Sequence, residues 1–310
     1  MLLVNALKLF LMDRSSYCSG RTIQYYDENV NKFFFFLSEE SDSKVEILDC
    51  TLVNREVVQK YMLWLRQQGL KNTSINTYFR AVKTFLNYCI DEQFVDSDSL
   101  RKVKMLRSDQ KPIIPLYQDE VARIDALFNL KTETGLRNYC MIHLMLDAGF
   151  RSSDVLNLKV SDIFFDKNCI QVLGKGNKYR SVLLCPLLKR MLYRYLIEYR
   201  PFVFSPGNEY VNQPVFVQVG STKFINSNVI KQLFHRLKKK SGIDRVHPHL
   251  LRHTFATSYI LGGGNLEFLR MMMGHSDYET TKLYLHLAQE AQMLGHSIYK
   301  LDPIFFKTVY

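Results

Sequence analysis

The chain has 310 residues, 47% apolar and 23% charged, with only 14 Gly and 8 Pro; at roughly 150 residues per domain, that means about two globular domains and excludes a disordered, collagenous or disulfide-stapled chain. The 41 basic side chains exceed the 30 acidic ones by 11, so a polyanion is the first partner to expect, ahead of an anionic membrane surface or an acidic substrate. No apolar run approaches the ~20 residues of a membrane span, and the six cysteines are dispersed without a C-x-x-C pair, as expected of reduced thiols in a cytoplasmic protein.

Met1 to Met12 is apolar but lacks a basic start and a small-residue cleavage site, and reads as the buried face of a first helix rather than a leader. Ile23, Tyr26, Val30, Phe33, Phe34 and Leu37 recur at helical spacing after Thr22. The Phe33 to Phe36 run overfills a single stripe. Val57, Val58, Tyr61, Trp64 and Leu65 follow Asn54, a good N-cap. Ile75, Tyr78, Phe79, Val82, Phe85, Leu86 and Cys89 form a further stripe from about Ser74. Residues 1–107 are therefore expected to be a helical bundle. Residues 108–117, approached by Arg101, Lys102, Lys104 and Arg107 and containing Lys111, Pro112 and Pro115, read as a basic linker.

Beyond the linker, residues 118–310 read as a second domain, mainly helical with one modest antiparallel sheet. Helical patterns cover Gln118 to Asn129 and Gly135 to Leu146. The period then drops towards two across Asp162 to Leu184, with Asp166-Lys167-Asn168 and Gly174-Lys175-Gly176-Asn177 as turns between three short strands. Helices return at Leu187 to Tyr199, Ser227 to Lys240, His249 to Leu261, Leu266 to Met272 and Tyr278 to Leu287. Met293, Leu294, Ile298, Tyr299 and Leu301 suffice for one short docking helix after them.

Four segments of the second domain carry chemistry: Asp147 to Asp154 around Arg151, Gly174 to Arg180 around Lys175, His249 to Thr257 with Arg252 and His253, and Gly274-His275-Ser276-Asp277 leading to Tyr284. Two arginines, a lysine, two histidines and a tyrosine suit phosphoryl transfer. An arginine fork grips two phosphate oxygens and stays charged, a turn lysine can reach a leaving oxygen, and a tyrosine hydroxyl can act as nucleophile. Singly, Arg151 could cap a helix, Lys175 could be a solvated turn residue, and Tyr284 could simply pack. His249 and His253 lack the glutamate of H-E-x-x-H and a third ligand, and Lys175 has no P-loop around it, so neither a metal nor nucleotide hydrolysis is expected.

In order and spacing, these segments resemble the tyrosine recombinase (phage integrase) family, over nearly the whole chain. The resemblance implies a SAM-like core-binding bundle followed by an α+β catalytic domain, closest in plan to the short, Xer-like type, with no further module ahead of the bundle. It assigns Arg151 and Arg252 to the scissile phosphate, Lys175 to protonation of the departing 5′-oxygen, His249 and His275 to hydrogen bonding with His249 also a proton acceptor, and Tyr284 to nucleophilic attack. Asp154 falls where a carboxylate buttresses the site. Phe150-Arg151-Ser152-Ser153-Asp154 replaces the more usual Leu-Arg-x-Ser-Glu.

The implied activity is site-specific recombination of double-stranded DNA through a 3′-phosphotyrosyl intermediate, without cofactor or metal. The implied assembly is a homotetramer on sites with two inverted half-sites, with an accessory or directionality factor as a further partner, and the implied setting is the nucleoid. The tail would dock on a neighbouring protomer. Arg101, Lys102, Lys104, Lys231, Arg236, Lys238, Lys239, Lys240 and Arg245 are candidates for phosphate contact, and Arg80 and Lys83 for base contact. A type IB topoisomerase-like nicking-closing enzyme and a catalytically silent DNA-binding regulator are the alternatives.

Overall fold

The computed structural model describes residues 1–95, 102–107, 112–173, 179–200, 213–218, 223–274, 278–295 and 297–306. The chain divides into two compact units, Met1–Lys111 and Pro112–Tyr310.

The first unit packs α1 (Leu3–Ser15), α2 (Gly20–Ser41), α3 (Arg55–Gln67) and α4 (Asn72–Asp91) around one apolar core. Side-chain caps set two of the starts: the Ser19 hydroxyl accepts from the Thr22 amide at 3.3 Å, and the Asn54 carbonyl oxygen accepts from the Val57 amide at 3.0 Å, each satisfying an otherwise orphan donor. The crowded phenylalanine run is explained by the position of α2, which has neighbours on several sides. Phe34 packs edge-on to Phe85 of α4 at 5.8 Å, while Phe33 and Phe36 meet Tyr61 of α3 at 5.0 and 5.4 Å. Only Phe35 of the four is turned out, near Trp64.

Residues 102–107, the end of the bundle before the linker, are pinned to α4. The Asn76 side-chain amide pairs with both backbone groups of Leu106 at 2.8 Å, and the Asn72 amide donates to the Arg107 carbonyl at 2.8 Å. Val103 is buried by this docking, and Lys102 and Lys104 are left exposed.

In the second unit, α5 (Gln118–Asp125), α6 (Glu133–Leu146), α7 (Ser152–Asn157), α8 (Pro186–Tyr199), α9 (Ser227–Ser241), α10 (Pro248–Leu261), α11 (Leu266–Met273) and α12 (Tyr278–Met293) accompany a three-stranded sheet. β1 (Ile163–Phe164), β2 (Cys169–Leu173) and β3 (Tyr179–Leu183) lie in that order, all antiparallel, with Ile170 opposite Val182 and Leu173 opposite Tyr179. α6 is buried on every face from Leu136 to Leu146 and packs against α8 and α10. The polar groups that this buries find partners. His143, 3% exposed, has one ring nitrogen 2.7 Å from Asp147 and the other 2.9 Å from Asp125, and Asp147 also accepts from the Tyr299 hydroxyl at 2.9 Å. Burial works against the imidazolium, but the two carboxylates outweigh it and raise His143 to about 10.

Two sequence expectations need correction. Helix α7 went unread, because six residues are too few for a period to show. The helix expected at Tyr278 to Leu287 continues to Met293, with Met293 and Leu294 exposed at its end. Residues 297–306 are mostly extended and lie against their own unit. Ile298 bridges Tyr117, the Tyr299 amide donates to the Leu116 carbonyl at 3.0 Å, and Ile298, Leu301 and Phe305 are buried. Gly295, at φ 64, makes the break that turns the chain back.

Candidate active site

Three arginines converge on the C-terminal end of α11, where the last carbonyls of a helix have no intrahelical partner and carry the negative end of its dipole. Three successive carbonyls each take one guanidinium. Arg180 Nε donates to Met272 O at 2.8 Å, Arg252 Nη2 donates to Met273 O, and Arg151 Nη2 donates to Gly274 O at 3.2 Å. Gly274 ends the helix in the left-handed region at φ 60, and a Cβ there would lie 3.3 Å from Arg180 Cδ and 3.7 Å from Arg151 Nη1.

Each arginine is held from a different element. Arg151 is the N-cap of α7, and its amide donates to Asp154 Oδ2 at 2.9 Å. Arg180 lies on the buried face of β3, where its neighbours Tyr179 and Ser181 point outwards, and Nη2 donates to the same Asp154 oxygen. Arg252 projects from α10, is 4% exposed, and gives its other Nη to the Gly149 carbonyl. Burial and the adjoining positive charge of Arg151 pull Arg252 down to about 9, leaving it charged at neutral pH. Burial likewise lowers Arg151, against the pull of Asp154.

Tyr284, on α12, is 2% exposed and its ring lies 5.6 Å from that of His253. Burial raises its hydroxyl above the ordinary tyrosine value, while Arg252 and Arg151 act in the opposite direction. His249 and His253 stand one turn apart on α10. Partial burial and the neighbouring cations lower His249, and burial with His249 beside it brings His253 down to about 4, so both rings are neutral proton acceptors at pH 7. The arrangement offers cations to an anionic ligand, with a phenol and neutral imidazoles beside them.

Arg151, Arg252, His249, Tyr284 and Asp154 are thus gathered in one place. Lys175 and His275 lie outside the described residues. Arg180 and His253 join the cluster without having been assigned a role in it from sequence. An alternation that puts Arg180 on the inner face of a short strand was the available signal for the first. Among the described residues, no group of three or more His, Cys, Asp or Glu could hold a metal ion, and no helix is long and apolar enough to cross a membrane.

The DNA-contact candidates fare unevenly. Arg80 is exposed on α4, and Lys231, Arg236, Lys239 and Lys240 are exposed on α9, with Lys238 half-buried. Lys83 leans back to donate to Val103 O at 3.2 Å. Arg101 lies outside the described residues. Arg245 is engaged internally: its guanidinium donates to both carboxylate oxygens of Glu120 at 2.7 and 2.5 Å and sits over the Tyr117 ring.

A family model described as the phage integrase family matches residues 115–291, and one described as the phage integrase SAM-like domain matches residues 3–105. Tyrosine recombinase XerC of Pediococcus pentosaceus is 30% identical over 292 residues, covering 93% of this chain and 94% of its own. Tyrosine recombinase XerD of Listeria monocytogenes is 27% identical over 272 residues, covering 87% and 89%. Among solved structures, the Tn1549 transposon integrase in complex with a circular intermediate DNA superposes with a TM-score of 0.71 at 17% identity, covering 94% of this chain and 99% of its own. The XerH site-specific recombinase in a post-cleavage complex with its substrate gives 0.65 at 22% identity, covering 88% and 78%. At these identities, the two structures bear on the fold alone.

Proposed function

Because this chain belongs to the phage integrase family and is a site-specific tyrosine recombinase, we propose that Tyr284 is its nucleophile and that Arg151 and Arg252 clamp the scissile phosphate. The observation that carries this assignment is the convergence of guanidiniums on the end of α11, with the Tyr284 hydroxyl close enough to feel Arg252 and Arg151. Held by carbonyls, these donors need little reorganisation as charge builds on the phosphate oxygens, and this is the condition under which oxyanion stabilisation is largest.

A free phenol with a pKa near 10 is a weak nucleophile at neutral pH, and burial of Tyr284 makes ionisation harder. Attack therefore requires the hydroxyl to reach the phosphate and to lose its proton as the bond forms. His249, neutral and beside the arginines, is the acceptor. The Tyr284 oxygen bonds to phosphorus and the bond to the 5′-oxygen breaks, with Lys175 supplying the proton to that oxygen and His275 adding a hydrogen bond to the phosphate. The 3′-phosphotyrosyl bond conserves the phosphodiester energy, so the 5′-hydroxyl of a second strand reverses the step without ATP.

Exposed Lys102, Lys104, Lys231, Arg236, Lys239 and Lys240, with Lys238 half-buried among them, are assigned to phosphate contacts, and Arg80 to the base edges. Arg245, committed to Glu120, is left out of that set. Exchange between two sites calls for four active sites, and a homotetramer on paired inverted half-sites supplies them, with an accessory factor setting direction. The test is a suicide duplex whose cleaved fragment diffuses away. Wild-type protein should accumulate a covalent adduct, and Tyr284→Phe should bind the half-site equally and form none. Wild-type binding without any adduct would support the silent-regulator reading instead.

A further inference from the structure

Arg180 is a charged side chain where strand alternation calls for an apolar one. It lies on the inner face of β3 with Val182, its side chain 7% exposed. Burying a guanidinium costs several kcal/mol unless it is fully paired, yet Nη1 is buried and meets no acceptor among the described residues. An apolar residue of similar volume would be at least as stable there, so the position is not accounted for by stability.

The geometry points to Arg180 as a positioning residue for strand cleavage, tying Asp154 to the end of α11 so that the Arg151 clamp is held in register. This rests on the recombinase assignment above. The bonds close a ring. Arg180 Nε donates to Met272 O, its Nη2 to Asp154, Asp154 accepts the Arg151 amide, and the Arg151 guanidinium donates to Gly274 O two residues from the start. Three elements that are separate in sequence, namely the Arg151 cap, β3 and the end of α11, are joined through this guanidinium and its one carboxylate, beside the separate bonds of Arg252 to Met273 O and Gly149 O. Nη1 is buried and lies 3.5 Å from where a Gly274 Cβ would sit, so the charge is set under the end of α11 rather than at the surface.

Without Arg180, Asp154 loses its second donor and the turn loses its tether to the sheet. Arg151 then keeps its charge but not its aim. A misplacement on the order of 1 Å can cost ~10²-fold in rate, while affinity for the half-site, which depends on many phosphate contacts, should hold.

The experiment compares Arg180→Gln, Arg180→Lys and Tyr284→Phe in the full chain, measuring half-site binding, thermal unfolding and single-turnover cleavage of two suicide duplexes. One carries the ordinary scissile phosphodiester. The other carries a methylphosphonate, in which a methyl replaces one non-bridging oxygen and removes the charge that Arg151 neutralises. Arg180→Gln should bind normally, cleave the phosphodiester ~10²-fold more slowly, and recover most of that deficit relative to wild type on the methylphosphonate. Arg180→Lys, with charge but no fork, should fall between. Wild-type cleavage by either variant would overturn the proposal, as would equal deficits on both substrates, which indicate general loosening of the fold. Should Arg180→Gln not fold, Arg180→Lys alone decides on the same two substrates. Tyr284→Phe should be inert on both; cleavage by that variant would overturn the recombinase assignment itself, whatever Arg180 does.

Discussion

Replacing Gly274 with alanine perturbs the junction of all three arginines with a single methyl group. The residue has φ 60 and ψ 46, a conformation that costs an L-residue other than glycine about 1–2 kcal/mol. For a domain of this size, each kcal/mol lowers the midpoint by roughly 2–4 °C, so the second unit should melt roughly 2–8 °C lower. The new Cβ would stand 3.3 Å from Arg180 Cδ, 3.5 Å from Arg180 Nη1 and 3.7 Å from Arg151 Nη1. The first of these is tight enough to push the Arg180 stem by a few tenths of an ångström, and the Arg180 bond to Met272 O moves with it. A shift of that fraction of the ~1 Å that costs ~10²-fold predicts roughly a tenfold slower cleavage at saturating DNA. Asparagine provides the control, because it visits the left-handed region more readily but carries the same Cβ. Gly274→Asn should melt closer to wild type and cleave as slowly as the alanine variant. Single-turnover cleavage and calorimetric melting of both variants give the answer. If both cleave at the wild-type rate while the alanine variant melts lower as expected, the carbonyl turn does not set the arginine geometry.

Stability should fall on the alkaline side through His143. Its folded value of about 10 lies above the unfolded value, so the stabilisation is complete below about pH 6.5 and is lost as pH rises towards 10; the melting temperature should drop across that window, and Asp147→Asn should flatten the slope. Tyr299→Phe removes a hydrogen bond to a buried carboxylate and should cost about 1.5–3 kcal/mol in a monomer melt; no change would show that the tail is not docked on its own unit in solution. Half-site affinity should fall with salt at a log–log slope of about −0.9 per phosphate neutralised, and the combined variant Lys231→Ala, Lys239→Ala, Lys240→Ala should make that slope shallower by up to ~3; an unchanged slope would remove α9 from the interface.

The helices were legible because each buries one periodic face: the stripes after Thr22 and Asn54 and from about Ser74 map onto α2, α3 and α4, each helix running two to four residues beyond its stripe at either end. The sheet was legible from its change of period. What escaped the pattern depended on contacts distant in sequence. His143 reads as a polar residue in a largely apolar helix, and only the fold brings Asp125 to it and Tyr299 to its other partner, Asp147. Ile298 and Leu301 were recognised as apolar, but neither that nor their spacing could say which surface they cover, and the surface is the Tyr117 edge of the same unit. Arg151, Arg252, His249 and Tyr284 were found as a motif in order along the chain. Arg180 was not, because its importance lies in a ring of bonds that spans Asp154 and Met272, and no linear spacing encodes a ring.

The central claim is that Tyr284 attacks a DNA phosphate and keeps the 3′ end. It is tested most directly by digesting the trapped adduct with protease and nuclease and sequencing the modified peptide by mass spectrometry. The prediction is a single nucleotide 3′-phosphate on Tyr284 in the peptide of α12, with the released strand bearing a free 5′-hydroxyl. A nucleotide on Tyr278 or any other residue, or a released strand ending in a 5′-phosphate, would contradict the account.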